Sequence, residues 1–309
     1  MKEIRPDYYA AFRCSADACR HTCCRGWEID IDETALAYYE ALPGDLGDRL
    51  RQQIDVDEDG TAHFRLREDE SCPFLNEKNL CELIPALGEE HLCQICTDHP
   101  RFRNFFSDRT EIGLGLCCEE AARLILTKQE KTCFCEVGEE TLQPEEQEII
   151  CLRDSLIALM QDRSKTIQTR YDALFTQVHG QLPDLTNAQW ADFLYELERL
   201  EPAWEQRLDS LRNGDCADIA FDPIAEEQLC VYFLYRHFAG AVYDGDLSGR
   251  AVFAVVSCDL IRKIWLAEGS GSTEALIEIS RQYSSEIEYS EDNICRMLDL
   301  IDGELINDT

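Results

Sequence analysis

Apolar residues recur at spacings of three and four through most of the second half of the chain, as at Leu229, Tyr232, Phe233, Tyr235 and Phe238. That period lays one face of a helix against a core. It predicts helices over 145–162, 164–178, 187–212, 223–240, 247–267, 272–284 and 290–306. Breakers separate them at Gly180, Pro183, Gly214, Pro223, Gly245 and Gly269–Gly271. The first half has little continuous period. Asp32 can cap a short helix through Thr34–Leu42, ended by Pro43-Gly44. Ile54, Val56, Ala62, Phe64 and Leu66 alternate with polar residues around Asp59-Gly60, which signals a hairpin. Glu119–Leu126 reads as a helix that starts directly after a cysteine pair.

The pattern predicts a mainly α protein. An irregular, Cys-rich N-terminal domain with a small β-hairpin precedes an α-helical C-terminal domain. An acidic stretch with Pro144 marks the division, giving domains over 1–140 and 141–309. The length of 309 residues suits two such domains, at roughly 100–200 residues each. There is no internal repeat and no low-complexity segment.

Charge narrows the set of partners. Acidic residues number 62 against 29 basic ones, a net charge of −33. That field repels phosphate backbones, so nucleic acid is a poor partner. It also suits a target that presents lysines, although a well-solvated surface explains most of it. No apolar run reaches the roughly 20 residues of a membrane span. The start, Met-Lys-Glu-Ile-Arg-Pro-Asp, has no apolar stretch behind its charges and does not read as a secretory signal. A cytoplasmic, reducing location is the expectation.

Cysteine changes the picture most. Of 17 cysteines, twelve lie between Cys14 and Cys135. They run as Cys14-x4-Cys19-x3-Cys23-Cys24, then Cys72, Cys81, Cys93-x2-Cys96, Cys117-Cys118 and Cys133-x-Cys135. Soft thiolates suit zinc and iron–sulfur clusters, and a cluster needs sulfurs that converge from separate loops. Zinc prefers two tidy knuckles. Here Cys93-x2-Cys96 is a clean knuckle and Cys19-x3-Cys23 a looser one. Thiolate number and irregular spacing therefore favour iron–sulfur, with zinc as the alternative metal. The later cysteines, Cys151, Cys216, Cys230, Cys258 and Cys295, fall in helical patterns and read as buried small hydrophobes. The C-x3-C-x2-C triplet, the phosphate loop and the G-x-G-x-x-G fingerprint are absent.

This cysteine order and its flanks resemble the flagellin lysine N-methylase family. The likeness begins at Tyr8-Tyr9, Phe12, Cys14, Cys19, Cys23-Cys24, Gly26-Trp27 and Asp32-Glu33-Thr34. It resumes at Cys72-Pro73-Phe74-Leu75, Leu80-Cys81, Leu87-Gly88-Glu89, Leu92, Cys96, Pro100-Arg101 and Leu116-x-Cys118 with Glu120-Ala121-Ala122. The stretch Tyr283-Ser284-Ser285-Glu286-Ile287-Glu288-Tyr289-Ser290, with Asn293, is similar to the family's C-terminal end. His99, Cys93, Cys117 and Glu119 depart from the family's usual residues, which are Tyr, a small polar residue, Ser and Pro.

The resemblance implies methyl transfer from S-adenosylmethionine to lysines of a flagellin-like protein, with a 4Fe-4S-type cluster involved. It carries the metal ligands onto Cys14, Cys19, Cys23, Cys24, Cys72, Cys81, Cys96 and Cys118. That is more than the four thiolates of one cubane, so two sites, or one with spare thiols, both fit. Methylation needs a neutral amine, and lysine's ordinary pKa is about 10.4. The sequence names no residue to remove that proton. Arg101 can fork onto the carboxylate of S-adenosylmethionine or pair with a local acid. His21 can ligate or stand in a loop, and His99 can bond a cluster sulfur or simply turn the chain. Tyr232, Phe233, Tyr235 and Phe238 can stack on adenine, but an aromatic stripe at helical spacing reads as core. Two rival functions stay open: a redox or metal-carrier iron–sulfur protein, and a zinc-stapled protein-binding module.

Overall fold

The computed structural model describes residues 2–137, 142–214 and 219–303. The chain divides into two compact units, 13–101 and a second built from 2–12 with 102–303. The sequence places a single boundary at 140/141, beside residues that lie outside the described ones. In the structure the first strand and the segment after residue 101 join the helices of the second half instead, because together they build one sheet.

The unit 13–101 is made of short pieces. Helices α1 (Glu33–Ala41) and α2 (Gly44–Gln52) precede a hairpin of β2 (Ile54–Val56) and β3 (Ala62–Phe64), followed by the one-turn helices α3 (Leu83–Leu87) and α4 (Gln94–Asp98). Asp32 caps α1 by accepting from the amides of Thr34 and Ala35 at 3.1 Å. Pro43-Gly44 ends α1 and immediately opens α2, a helix the sequence reading lacks. The hairpin pairs Ile54 with Phe64, and a loop around Gly60 closes it. The core is small: Ile29, Ile31, Tyr39, Leu50, Phe64, Phe74, Leu75 and Leu83 pack with Cys72 and Cys93.

The second unit carries a four-stranded sheet in the order β4 (Arg101–Phe105), β5 (Arg109–Leu114), β1 (Lys2–Pro6), β6 (Phe134–Val137). Strand β1 runs parallel to β5 and antiparallel to β6. Strand β5 is buried along its whole length, and its charges are internally paired. Glu111 takes both Arg109 and Arg153, as buried carboxylates must find partners.

Helix α5 (Glu119–Leu126) has the predicted bounds. The helical remainder comprises α6 (Pro144–Met160), α7 (Ile167–Val178), α8 (Asn187–Glu196), α9 (Pro202–Asn213), α10 (Pro223–His237), α11 (Ala241–Asp244), α12 (Leu247–Glu268), α13 (Thr273–Tyr283) and α14 (Glu291–Asp302). The mainly α fold class is as the pattern predicts. Helices α10 and α12 are buried on nearly every side and form the centre of the core.

One predicted helix, 187–212, is in fact two, α8 and α9. Pro202 is the first residue of α9, and the freed amides of Leu200 and Glu201 donate to the Glu286 carboxylate at 2.8 Å. Tyr232, Phe233, Tyr235 and Phe238 are all core residues. The later cysteines need a correction. Cys230 and Cys258 are buried, whereas Cys151 and Cys295 are exposed on the outer faces of α6 and α14. Cys216 and the end of the last predicted helix lie outside the described residues.

Candidate metal centre

In the unit 13–101 four separated pieces of chain bring thiols together. The Cys23 and Cys24 thiols hydrogen-bond each other, as do those of Cys93 and Cys96 at the start of α4. Cys72 and Cys81 join them electrostatically: Cys72 feels Cys81 and Cys93, Cys81 feels Cys23 and Cys93, and Cys96 feels Cys24 and Cys72. Backbone geometry fixes the approach. The Cys72 amide donates to the Cys24 carbonyl at 2.8 Å, and Cys81 pairs across an isolated bridge with Leu75.

The setting is dry. Cys72 and Cys93 are buried, and burial pushes the Cys72 thiol up to about 11. Burial also raises Cys81, and the bond to Cys24 followed by burial raises Cys23. Within the Cys93–Cys96 pair, Cys96 holds its proton and bonds Cys93, whose thiol is lowered for that reason. Tyr39 closes one side; its hydroxyl donates to the His91 carbonyl at 2.8 Å and sits 3.6 Å from the Cys93 sulfur. Burial holds Cys72 and Cys81 as neutral thiols, and a cation bound among these sulfurs would replace their protons.

Five of the eight cysteines expected as ligands, Cys23, Cys24, Cys72, Cys81 and Cys96, belong to this group. Cys14 and Cys19 flank a single 3-10 turn at 16–18, and the exposed Cys14 sulfur accepts from the Ala16 amide at 3.4 Å. Cys118 belongs to the other unit, where it precedes α5 beside Phe12, Leu114 and Ala121. Arg101 donates to the Thr97 carbonyl at 3.1 Å. His99 stacks near Trp27, and burial, aided by Arg101, lowers it to about 4, so it is neutral at physiological pH.

The second unit holds a polar site of its own. After α13 the helix widens into a π-turn, Ser284–Glu288. Such turns often mark functional positions. The π-turn delivers Glu288 to a buried point where Tyr232 donates at 2.9 Å and His237 Nε2 lies at 2.6 Å. Burial works against the Glu288 charge, but Arg236 and His237 hold its carboxyl below the usual range. The Arg236 guanidinium lies over the rings of Phe102 and Tyr289 and donates to the Tyr232 hydroxyl at 2.7 Å. Tyr289, half exposed, hydrogen-bonds the Cys117 thiol. A cleft of about 190 Å³ opens beside Arg236 and His237, lined also by Asn104, Phe105 and Tyr243.

The π-turn residues and their neighbours fall in a recognised block of sequence. Residues 103–309 match the model of the FliB lysine N-methylase C-terminal domain. This chain belongs to the FliB lysine N-methylase family. Lysine-N-methylases of Salmonella typhimurium and Salmonella choleraesuis are each 30% identical to this family member over 144 residues, 44% of its chain and 36% of theirs. The chain thus matches little more than a third of their length. The flagellar biosynthetic protein FliU of Salmonella muenchen is 31% identical over 134 residues, 41% of this chain and 79% of FliU. No solved structure matches.

The family block therefore contains the Glu288 site, while the thiol group lies before it. In the sequence Glu286, Glu288 and Tyr289 carry a resemblance alone, with no role attached. Glu288's partners, Tyr232, Arg236 and His237, come from another helix. Cys93, which departs from the family's usual small polar residue, lies among these sulfurs, in keeping with its clean C-x2-C spacing with Cys96.

Proposed function

We propose that this FliB-family protein is a lysine N-methyltransferase whose segment 13–101 holds an iron–sulfur cluster through thiols drawn from Cys23, Cys24, Cys72, Cys81, Cys93 and Cys96. The observation that carries the reading is the convergence of those six thiols from four separate pieces of chain, five of them in or against one apolar core and Cys23 at its exposed edge. Six thiols exceed the four ligands of a mononuclear zinc site, and thiolates drawn from several loops are the donors an iron–sulfur cluster takes.

When bound, such a cluster would supply Lewis acidity toward the sulfonium donor, and the transfer itself is redox-neutral. The chain's residues do the rest. The thiolates fix the cluster, with Tyr39 and Phe74 excluding water around them. Arg101 is the residue proposed to take the carboxylate of S-adenosylmethionine. In the transfer a C–N bond forms as the methyl–sulfur bond breaks, the sulfur leaves as a neutral thioether, and the proton of the lysine ammonium passes to solvent water. The net charge of −33 favours a lysine-bearing acceptor, for which flagellin is the proposed class.

The test uses full-length protein prepared without oxygen. Iron and acid-labile sulfide should be found together, and co-expressed flagellin should gain single-methyl mass steps on lysine. Cys72→Ser and Cys96→Ser should abolish both. Stoichiometric zinc in place of iron, or full methylation by variants that have lost their iron, would overturn the proposal.

A further inference from the structure

Away from the thiols, the hairpin carries a different set of ligands. On β3 the side chains of Ala62 and Phe64 enter the core, so His63 between them points to the opposite face. There its Nδ1 lies 3.6 Å from Glu28 Oε1 and 3.5 Å from Asp57 Oδ2. All three ligand atoms fall within 4.8 Å of one another. Glu28 comes from the segment before α1 and Asp57 from the residue after β2, so three separate backbone positions supply the set.

Two features mark this as more than a solvated acidic patch. First, His63 Nδ1 is shielded from solvent and makes no hydrogen bond. A buried polar atom without one is costly, and the two carboxylates it faces stand at ion-pair distance. Second, the spacing suits an ion. Bonds of about 2.0–2.2 Å in a tetrahedral arrangement separate neighbouring N and O ligands by roughly 3.3–3.6 Å, which brackets both measured distances. A cation there would bond the orphaned nitrogen and neutralise two carboxylates that otherwise repel. Asp30, the backbone neighbour of His63 across an isolated bridge, adds negative potential, while Asp55 across the hairpin is neutralised by Arg65.

We propose that Glu28, Asp57 and His63 bind one divalent first-row metal ion, separate from the thiol group. One imidazole and two carboxylates form a borderline-to-hard set that suits Mn²⁺, Fe²⁺ or Zn²⁺, with water completing the shell on the exposed side. The ion ties the hairpin to the strand-like segment at 28–31, and so braces the core that contains Cys72 and Cys93.

Mn²⁺ is the probe, because thiolates bind it poorly. Full-length protein with its thiol-bound metal in place is titrated with Mn²⁺ at physiological ionic strength, and the free ion is read by electron paramagnetic resonance. The wild type should take up one Mn²⁺ saturably. Asp57→Asn and Glu28→Gln, both at half-exposed side chains, should each weaken uptake by about tenfold to a hundredfold and leave the iron content unchanged. Glu58→Gln, an exposed acid on the same loop, should change nothing. The proposal is overturned if no saturable site is found, if the two ligand variants bind as well as the wild type, or if Glu58→Gln weakens binding equally, since that would be diffuse attraction.

Discussion

The two units hold themselves together by different means. In 13–101 the longest helices have nine residues, and cysteines are part of the apolar core. In the other unit a 22-residue helix, α12, packs against α10 through a continuous layer of Phe, Leu, Val and Ile. A small unit with short elements has too little apolar area to offset its chain entropy, and cross-links or metals make up the difference. A large one does so by burial alone. The thiol-rich unit should therefore answer to the proposed metal, and the helical unit to its packing.

The sharpest way to break this comparison is to remove the proposed cluster. Chelation under reducing conditions, or Cys96→Ser, should abolish amide protection across 83–99 while α10 and α12 keep theirs, read by hydrogen exchange with mass spectrometry. Protection retained in 83–99 would mean that the apolar core around Tyr39 and Phe74 suffices without metal.

Packing is tested by the converse change. Phe233 is fully buried, and its ring meets those of Tyr232, Phe253 and Tyr283. Phe233→Ala should cost about 3–5 kcal/mol in the urea unfolding of the helical unit and leave the iron content as it was. A loss below about 1 kcal/mol would mean that the surrounding helices collapse into the space.

The helical unit also has a pH signature. Burial, partly opposed by the amides of Leu200 and Glu201, raises Glu286 to about 7. A carboxyl raised in the folded state binds its proton more tightly there than when unfolded. The stability it contributes is complete below the ordinary glutamate value and is lost as pH climbs to about 7. The difference is about 3 kcal/mol. Urea midpoints at pH 5 and pH 8 should therefore fall further apart in the wild type than in Glu286→Gln. The amide's clash with one backbone N–H adds an offset that does not vary with pH. Equal pH dependence in the two proteins would remove Glu286 as the cause.

Where local rules act alone, the sequence was a good guide. Asp32 as a cap, Asp59-Gly60 as a turn and Glu119–Leu126 as a helix need only neighbours a few residues away. The sheet was missed because β1 is followed by its partners only after a hundred residues, and β5 carries Arg109 and Glu111 at positions where burial would ordinarily demand apolar side chains. The break between α8 and α9 was missed for a similar reason: its freed amides are satisfied by Glu286, far along the chain. The candidate sites divide the same way. The Cys93-x2-Cys96 knuckle can be read locally, but its meeting with Cys72 and Cys81 depends on the fold. His63 gave no signal at all, since a histidine inside an alternating strand becomes a ligand candidate only when Glu28 is seen beside it.

The smallest effect tests how the two kinds of order meet inside 13–101. Asp32 accepts from Thr34 and Ala35 with one oxygen and from the Gln94 amide, at 2.7 Å, with the other. It thus caps α1 and at the same time steadies the start of α4, one residue past Cys93. These backbone donors, that of Gln94 foremost, outweigh burial and lower its carboxyl. Asp32→Ala should cost about 1 kcal/mol and speed exchange at the Thr34, Ala35 and Gln94 amides together. Asp32→Asn should protect the first two and leave Gln94 fast, because an amide keeps one acceptor oxygen and turns a donor toward Gln94. Iron should stay bound in both variants if the sulfurs and their metal, rather than the cap, hold α4 in place. Loss of iron from Asp32→Ala would reverse that order of cause, making the helix cap the element on which the thiol arrangement depends.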